Sequence, residues 1–311
     1  MCAATLYPVS EDVTLIDLAP PIKGFDGFIG SYVLRSQKVA LVDVGPSSSL
    51  PNLLEGLSTL GISPKEVSYV FITHLHIDHA GAIGGLLPYM PDAKVIVHEK
   101  GKSNLTDPQK LWDGSKQTLG DLAEQYGPIA PVPEDRIIVG HEGMTFDLGW
   151  GTTIEVLATP GHASHHLSFY DTGKKRLFVG EAAGVRVKGV LRPGTPPPFN
   201  LQVELASLDK LIRIEPSTLC YGHLGAAQDA VQNLRLHRQQ LLLWLKIIAR
   251  CVPESTKIDQ IYLQLREKDE LMRGLEQLPK DQYDRECFFI HNSIRGFLSY
   301  LEKYGVPGAV A

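Results

Sequence analysis

Thr73-His74-Leu75-His76-Ile77-Asp78-His79 sets three imidazoles and one carboxylate within six residues, directly after the mostly apolar run Val67 to Ile72. Neutral imidazole nitrogens and ionised carboxylates are the donors that zinc, iron and manganese accept. His74 and His76, one residue apart, suit an extended end or a tight turn rather than one face of a helix. A single histidine at strand spacing is usually a satisfied surface or core group. Four such groups so close together repel one another or stay unsatisfied unless a cation or a dense hydrogen-bond network holds them. The stretch therefore reads as a metal site at the end of a buried strand.

Three downstream segments supply partners. Ala158-Thr159-Pro160-Gly161-His162 follows the strand-like Thr153 to Leu157, Leu177-Phe178-Val179-Gly180-Glu181 ends an apolar run in a carboxylate, and Leu219-Cys220-Tyr221-Gly222-His223 repeats that plan with histidine. Each delivers one ligand type at the carboxyl end of a strand, beside a glycine where the backbone must turn sharply. A lone Gly-His is more often a turn than a ligand, so the weight rests on their joint occurrence.

The order His-x-His-x-Asp-His, Thr-Pro-Gly-His, Gly-acid, Gly-His is similar to the metallo-β-lactamase-fold hydrolase superfamily over about residues 10 to 230. Within it the chain looks most like the glyoxalase-II-like and archaeal-type hydrolases with a C-terminal helical segment. The resemblance implies an α/β fold, a four-layer αβ/βα sandwich with ligands on loops along one edge, followed by a C-terminal helical extension. It implies one metal held by His74, His76 and His162, a second by Asp78, His79 and His223, and a bridging residue at 181. Two divalent ions are thus expected, zinc first, with iron or manganese as alternatives. The usual bridging residue is aspartate, and Glu181 departs from it. One extra methylene lets Glu181 bridge with a shifted backbone, bind one ion only, or weaken the second site.

Two divalent ions roughly 3.5–4 Å apart can share a water, lower its pKa toward neutrality and present hydroxide, while one ion polarises the scissile carbonyl or phosphoryl oxygen. Asp78, besides ligating, can accept a proton from that water and is the candidate catalytic residue. No serine or cysteine nucleophile is then needed, and no Gly-x-Ser-x-Gly elbow occurs.

Around this set, His165 and His166 are placed to support ligands or touch substrate, since ligating imidazoles are oriented through their other nitrogen. His98, His141, His237 and His291 lack ligand-like company. Phe25 and Phe28, on the glycine-rich turn Gly24-Phe25-Asp26-Gly27-Phe28, are expected as exposed aromatics forming an apolar wall. Residues 101–133 form a long polar insertion, helical from Gln109 to Tyr126, expected as a lid with Lys102, Trp112 and Tyr126 facing substrate. Past Glu181, the proline run Pro196 to Pro198 is expected to hold an extended loop that places Phe199 over the cleft.

Strands are expected at Val13 to Ile16, Gly30 to Arg35, Val39 to Val44, Val67 to Thr73, Lys94 to His98, Thr153 to Thr159, His166 to Asp171, Arg176 to Gly180 and Thr218 to Gly222. Helices are expected at Leu50 to Leu60 and Leu201 to Ile212. Periodicity alone yields a mixed α/β class. Residues 1–230 form the expected catalytic unit and 231–311 a helical tail, read as a cap or dimer contact, with helices at Gly225 to Arg250, Lys257 to Lys268 and Arg285 to Tyr304.

Hydrophobic residues make up 43% and charged residues 21% of the 311, enough for a sizeable core. A net charge of −5 and a pI near 6.1 offer no general attraction to nucleic acid or anionic membrane, so neither partner is expected. No run of about 18 apolar residues and no signal-like N-terminus is present, which makes a cytoplasmic location the default expectation. Cys2, Cys220, Cys251 and Cys287 are widely spaced and indicate neither a disulfide framework nor a zinc ribbon.

The leading functional expectation is a dinuclear metal hydrolase acting on a small acyl compound, a thioester, ester or lactone, with promiscuity toward phosphotriesters or β-lactams. A mononuclear iron oxygenase of the persulfide-dioxygenase type is the alternative, kept open by Glu181. A nuclease or a non-catalytic regulatory module comes third, and a nuclease would want a basic arm that is not evident. Arg235, Arg238 and Lys246 do not match the basic set with which glyoxalase II holds glutathione.

Overall fold

The structure, a computed structural model, describes residues 4–223, 225–252 and 257–306; Cys2 lies outside them. Within these residues the first half builds a sheet of β1 (Leu6–Pro8), β2 (Val13–Asp17), β3 (Gly30–Leu34), β4 (Val39–Val42), β5 (Val67–Phe71), β6 (Lys94–His98) and β7 (Ile137–Gly140), in that spatial order. The first four strands run antiparallel and the rest parallel. Helix α1 (Leu50–Thr59) crosses from β4 to β5, the short α2 (Ile77–Ala80) and α3 (Ile83–Leu86) follow β5, and α4 (Glu99–Thr106), α5 (Gln109–Leu119) and α6 (Asp121–Tyr126) lie between β6 and β7.

The second sheet contains β8 (Thr145–Gly149), β9 (Thr152–Ala158), β10 (Leu167–Asp171) and β11 (Arg176–Gly180). After a separate hairpin, β12 (Val185–Val187) and β13 (Val190–Arg192), and helix α7 (Leu201–Arg213), it is completed by β14 (Thr218–Tyr221) and β15 (Ala226–Ala227). Three helices end the described chain: α8 (Ala230–Cys251), α9 (Ile258–Lys268) and α10 (Lys280–Tyr304).

Alternation along the strands explains the layering, because successive side chains point to opposite faces. In β4, Ala40 and Val42 face the second sheet while Val39 and Leu41 face the helices; in β11, Phe178 faces the first sheet while Leu177 and Val179 face helices. A shared inner core, with Phe71 and Ile96 opposite Phe169 and Phe178, joins the two sheets. The helices α1 to α6 cover the outer face of one sheet and α7 to α10 that of the other, giving the four-layer sandwich.

Several elements differ from the sequence reading. Residues 109–126 form two helices rather than one, because Gly120 breaks the chain at a positive φ of 57°. The loop after Glu181 is not simply extended, since the hairpin β12–β13 precedes its prolines. Helix α8 starts at Ala230 rather than Gly225 because β15 occupies the chain before it, and α10 starts at Lys280, just after Pro279. The edge strands β1, β7 and β8 carried no periodicity strong enough to be read.

Helix α10 is packed tightly onto the segment after β13. Ser293 Oγ accepts the Thr195 N–H at 3.2 Å and donates to the Pro193 carbonyl at 3.0 Å, and Arg192 Nε donates to Glu286 Oε2 at 2.5 Å. A Cβ on Gly296 would lie 1.7 Å from the Thr195 carbonyl oxygen, so only glycine allows this approach. We expect Gly296→Ala to destabilise the protein by about 2 kcal/mol despite the gain in helix propensity of up to ~1 kcal/mol. A urea titration checks this, and an unchanged midpoint would show that the contact relaxes freely.

Candidate metal centre

The site lies where the carboxyl ends of the two sheets meet. Strand β5 hands the chain to Thr73, which is fixed at once: its N–H donates to Asp43 Oδ1 and its hydroxyl to Asp43 Oδ2, both at 2.8 Å. The chain then turns, so that His74 and His76 precede α2 while Asp78 and His79 lie within it. His162 follows β9, Glu181 follows β11 and His223 follows β14. Because β11 and β14 pair in parallel, Glu181 and His223 emerge side by side, with the Gly222 N–H donating to the Gly180 carbonyl at 2.9 Å.

His74, His76, His162 and Glu181 form one group of donors, and Asp78, His79 and His223 form another; within each group the ligand atoms lie within 4.8 Å of one another. In the first, His74 Nε2, His76 Nδ1 and His162 Nε2 form a triangle with edges of 3.0, 3.2 and 3.0 Å. Glu181 spans both groups. Its Oε2 lies 3.0 Å from His162 Nε2, 3.4 Å from His74 Nε2 and 3.8 Å from His79 Nε2, while Oε1 lies 3.4 Å from His223 Nε2. Asp78 Oδ2 lies 3.9 Å from both His79 Nε2 and His223 Nε2.

The donors fit cations better than they fit one another. His79 Nε2 is fully buried yet has no hydrogen-bond partner among the described residues, and three imidazole nitrogens facing one point cannot all be satisfied by shared protons. The opposite nitrogens are held. His79 Nδ1 meets Asp43 Oδ2 at 3.0 Å, His74 Nδ1 meets the Thr73 hydroxyl at 3.0 Å, and His162 Nδ1 donates to the Gly194 carbonyl. Such outer contacts fix ring orientation and tautomer at metal sites. Of the groups that anchor these ligands, Asp43 was not singled out from sequence. The signal available was a buried strand ending in Asp-Val-Gly, Asp43 to Gly45, with Asp43 at a positive φ of 55°.

His166 and His165 behave differently. His166 is fully buried, its Nδ1 2.8 Å from the Thr159 hydroxyl and its Nε2 accepting the Glu181 N–H at 3.2 Å. It therefore sets the backbone of Glu181 and stacks on His74 at 5.2 Å. Burial, then His162, pushes its pKa well below the ordinary value, which keeps Nε2 free to accept. His165 Nδ1 accepts the Leu75 N–H at 3.3 Å, and burial with the nearby His76 pushes it down to about 3.

The site's charges oppose the cost of burial. For Glu181 burial favours the neutral acid, but His162 and His223 outweigh it and hold the carboxyl well below the usual range. For His79 burial favours the neutral ring, but the Asp78 and Asp43 carboxylates raise its pKa to about 9 in the ion-free protein. His74, buried among His79 and His76, lies well below the ordinary value.

A cavity of about 350 Å³ opens onto these groups, with His76, Asp78, His162, Glu181 and His223 at its base. Leu111, Leu119 and Tyr126 from α5 and α6 form one wall, and Phe289, Asn292 and Ser293 from α10 another. The expected lid residue Tyr126 is thus in place, buried, with its hydroxyl lacking a hydrogen-bond partner among the described residues. Four other expectations are corrected. Lys102 pairs with Glu134 at 2.7 Å instead of facing the cavity. Trp112 lies off the lining face of α5 and packs against the helical layer beneath. Phe199 is buried against Phe297 at 4.9 Å and does not cover the cleft. Phe25 and Phe28, 5% and 0% exposed, are core residues beneath α10, although Phe28 does reach the site by stacking on His223 at 4.1 Å. His237, taken as ordinary, is fully buried and faces Glu204 at 3.5 Å.

Residues 25–223 match the metallo-beta-lactamase superfamily. The chain belongs to that superfamily. It is 32% identical over 216 residues to the metallo-beta-lactamase fold-containing protein ST1585 of Sulfurisphaera tokodaii, covering 68% of this chain and 77% of that one. The solved structure of ST1585 from Sulfolobus tokodaii superposes with a TM-score of 0.73 at 26% identity over 93% of this chain and 99% of the other, so the likeness includes the helical tail. Probable metallo-hydrolase YqjP of Bacillus subtilis is 23% identical over 94% of this chain and 93% of its own. Hydroxyacylglutathione hydrolase of Aeromonas hydrophila is 27% identical over 69% of this chain and 68% of its own. The protein is thus a metallo-hydrolase of the superfamily with two His/Asp/Glu clusters suited to a dinuclear metal site. Among its described residues no helix is long and apolar enough to cross a membrane.

Two outcomes follow from the anchoring of His79. Asp43→Asn should weaken metal binding at the second cluster by about 10- to 100-fold in a chelator-competition titration; an unchanged constant would mean that Asp43 does not orient the ring. Below pH 9 the ion-free His79 keeps a proton that an arriving ion must displace, since ligation requires the neutral ring. Affinity at the second cluster should therefore rise with pH through neutrality, and loading the ion-free protein at neutral pH should release protons to an indicator dye. Loading without proton release would contradict a protonated His79.

Proposed function

We propose that the protein hydrolyses a small acyl compound, a thioester, ester or lactone, whose apolar acyl part lies between α5 and α10. The observation that carries this reading is the cavity itself: its base is the double donor cluster, and its walls are largely apolar, with Leu111, Leu119, Phe289 and Pro196 among them. When bound, two divalent ions supply a hydroxide nucleophile near neutral pH and polarise the scissile carbonyl. The nitrogen-rich donor set favours zinc, with iron or manganese as alternatives.

The chain's own groups do the rest. Asp78, at the cavity base beside His79 and His223, holds the proton lost by the nucleophile. The unpartnered Tyr126 hydroxyl is available to a polar atom of the substrate. Arg192 borders the cavity but is committed to Glu286, whereas Lys110 at the rim is exposed and makes no ion pair among the described residues, so it can meet an anionic leaving group. The relative named for hydrolysis of hydroxyacylglutathione supports acyl chemistry. Glutathione itself fits less well: Arg238 is engaged with Asp209, and neither Arg235 nor Lys246 lines the cavity. The reach of Glu181 into both clusters weighs against a mononuclear iron oxygenase.

The test is a panel of acyl thioesters and esters of graded chain length. Turnover should vanish on chelation and return with added metal, and kcat/KM should rise with acyl length. Leu111→Ala should remove about tenfold of that preference, the order expected for lost apolar contact in a pocket. A metal-replete protein inert toward every activated ester, thioester and lactone would overturn the proposal.

A further inference from the structure

His223 is anchored unlike the other buried imidazoles of the centre. His74, His79 and His162 each meet a hydrogen-bonding group through Nδ1, whereas His223 Nδ1 is buried with no hydrogen-bond partner among the described residues. What touches the ring instead is Phe28, stacked at 4.1 Å between centroids and 23° between planes. Phe28 is in turn in face contact with a cation: the Arg285 guanidinium lies 3.9 Å from its centroid. A backbone bridge between Ile29 and His223 ties the same two segments together.

Arg285 is well placed to hold the stack still. It is buried on α10, its Nε donates to Glu286 Oε1 at 2.8 Å, and its Nη1 donates to the Gly24 carbonyl at the start of the turn that carries Phe28. Glu286 also accepts from Arg192, so the guanidinium is fixed through a shared carboxylate. Gly24 stands at a positive φ of 83°, and a Cβ there would meet the Asp281 carbonyl oxygen at 2.7 Å. The turn is therefore pressed against α10 at both backbone and side chain. A planar cation on an aromatic face is an attractive contact, and more so when desolvated.

We propose that Arg285 and Phe28 are positioning residues through which helix α10 sets the affinity of the second metal site, by stacking on His223. The proposal rests on reading Asp78, His79 and His223 as donors to that site. It does not depend on the substrate. Ligand orientation is ordinarily secured by a hydrogen bond to the far nitrogen, and losing that support costs a metal site about 10- to 100-fold in affinity. In this chain a ring stack takes the place of that hydrogen bond for one ligand.

The experiment is a zinc titration of the full-length ion-free protein against a chromophoric chelator, resolving two dissociation constants. Wild type is compared with Arg285→Met, Phe28→Leu and His223→Ala, the last identifying which constant belongs to the second site. Both stack variants should weaken the second constant by about tenfold or more and leave the first unchanged. Charge alone acts in the opposite sense for Arg285→Met, since removing a cation near the site would tighten zinc binding; a weaker constant therefore reports positioning. Phe28→Leu alters no charge and leaves the Arg285–Glu286–Arg192 network in place, so it decides the matter if Arg285→Met does not fold. An unchanged second constant in folded Phe28→Leu would overturn the proposal, as would equal weakening of both constants. A wild-type protein binding a single zinc would overturn the dinuclear reading itself, a result distinct from two zincs bound with an indifferent stack.

Discussion

Five imidazoles converge on the carboxylate of Glu181, which is itself only 6% exposed. Neither side of this arrangement is tolerable alone. A buried carboxylate without partners is strongly disfavoured, and so are imidazole nitrogens packed about 3 Å apart with no cation between them. Each therefore requires the other, and the requirement forces the ends of β5, β9, β11 and β14 to one point. The glycines beside the ligands serve that convergence. A Cβ on Gly194 would lie 2.6 Å from Glu181 Oε1, and one on Gly222 would lie 2.9 Å from the His79 ring. The room at Gly194 is what admits a glutamate at position 181, its side chain being taken up by space in the facing loop. His166 meanwhile holds the Glu181 N–H in place.

Much of the centre was legible because its signals are local. A strand followed by glycine and a ligand is a short pattern, and β6 and β11 could be bounded to the residue because apolar runs stop at their ends. What could not be read depends on segments far apart in sequence. The turn around Phe25 and Phe28 looks exposed in isolation; it is buried because α10, more than 250 residues later, lies across it and sends Arg285 to Gly24. Phe199 follows the same logic, its partners Phe297 and Tyr300 lying about 100 residues away. Asp43 was missed for a related reason. Its neighbours in sequence are apolar, and its role appears only when β4 and β5 lie side by side and bring Thr73 and His79 to it.

The helical tail is not an appendage to a finished domain. Without α8 and α10 the outer side of the second sheet would expose Leu177, Val179, Leu219 and Tyr221, which share one continuous core with Leu241, Trp244, Ile290 and Phe297. Exposing a patch of that kind to water is disfavoured, so the tail is held by the ordinary burial of apolar surface. Once there, α10 contributes a cavity wall through Phe289, Asn292 and Ser293 and, through Arg285, contacts Phe28, the ring stacked on His223. The opposite wall comes from α5, joined to α6 by the break at Gly120. The clustered donors and most of the cavity wall thus come from different elements. Strand ends locked by the Glu181 cluster set the first, and two helices that carry none of the clustered donors shape the second. Changes on α5 can then reshape the cavity wall with the centre intact, whereas changes near the start of α10 reach both.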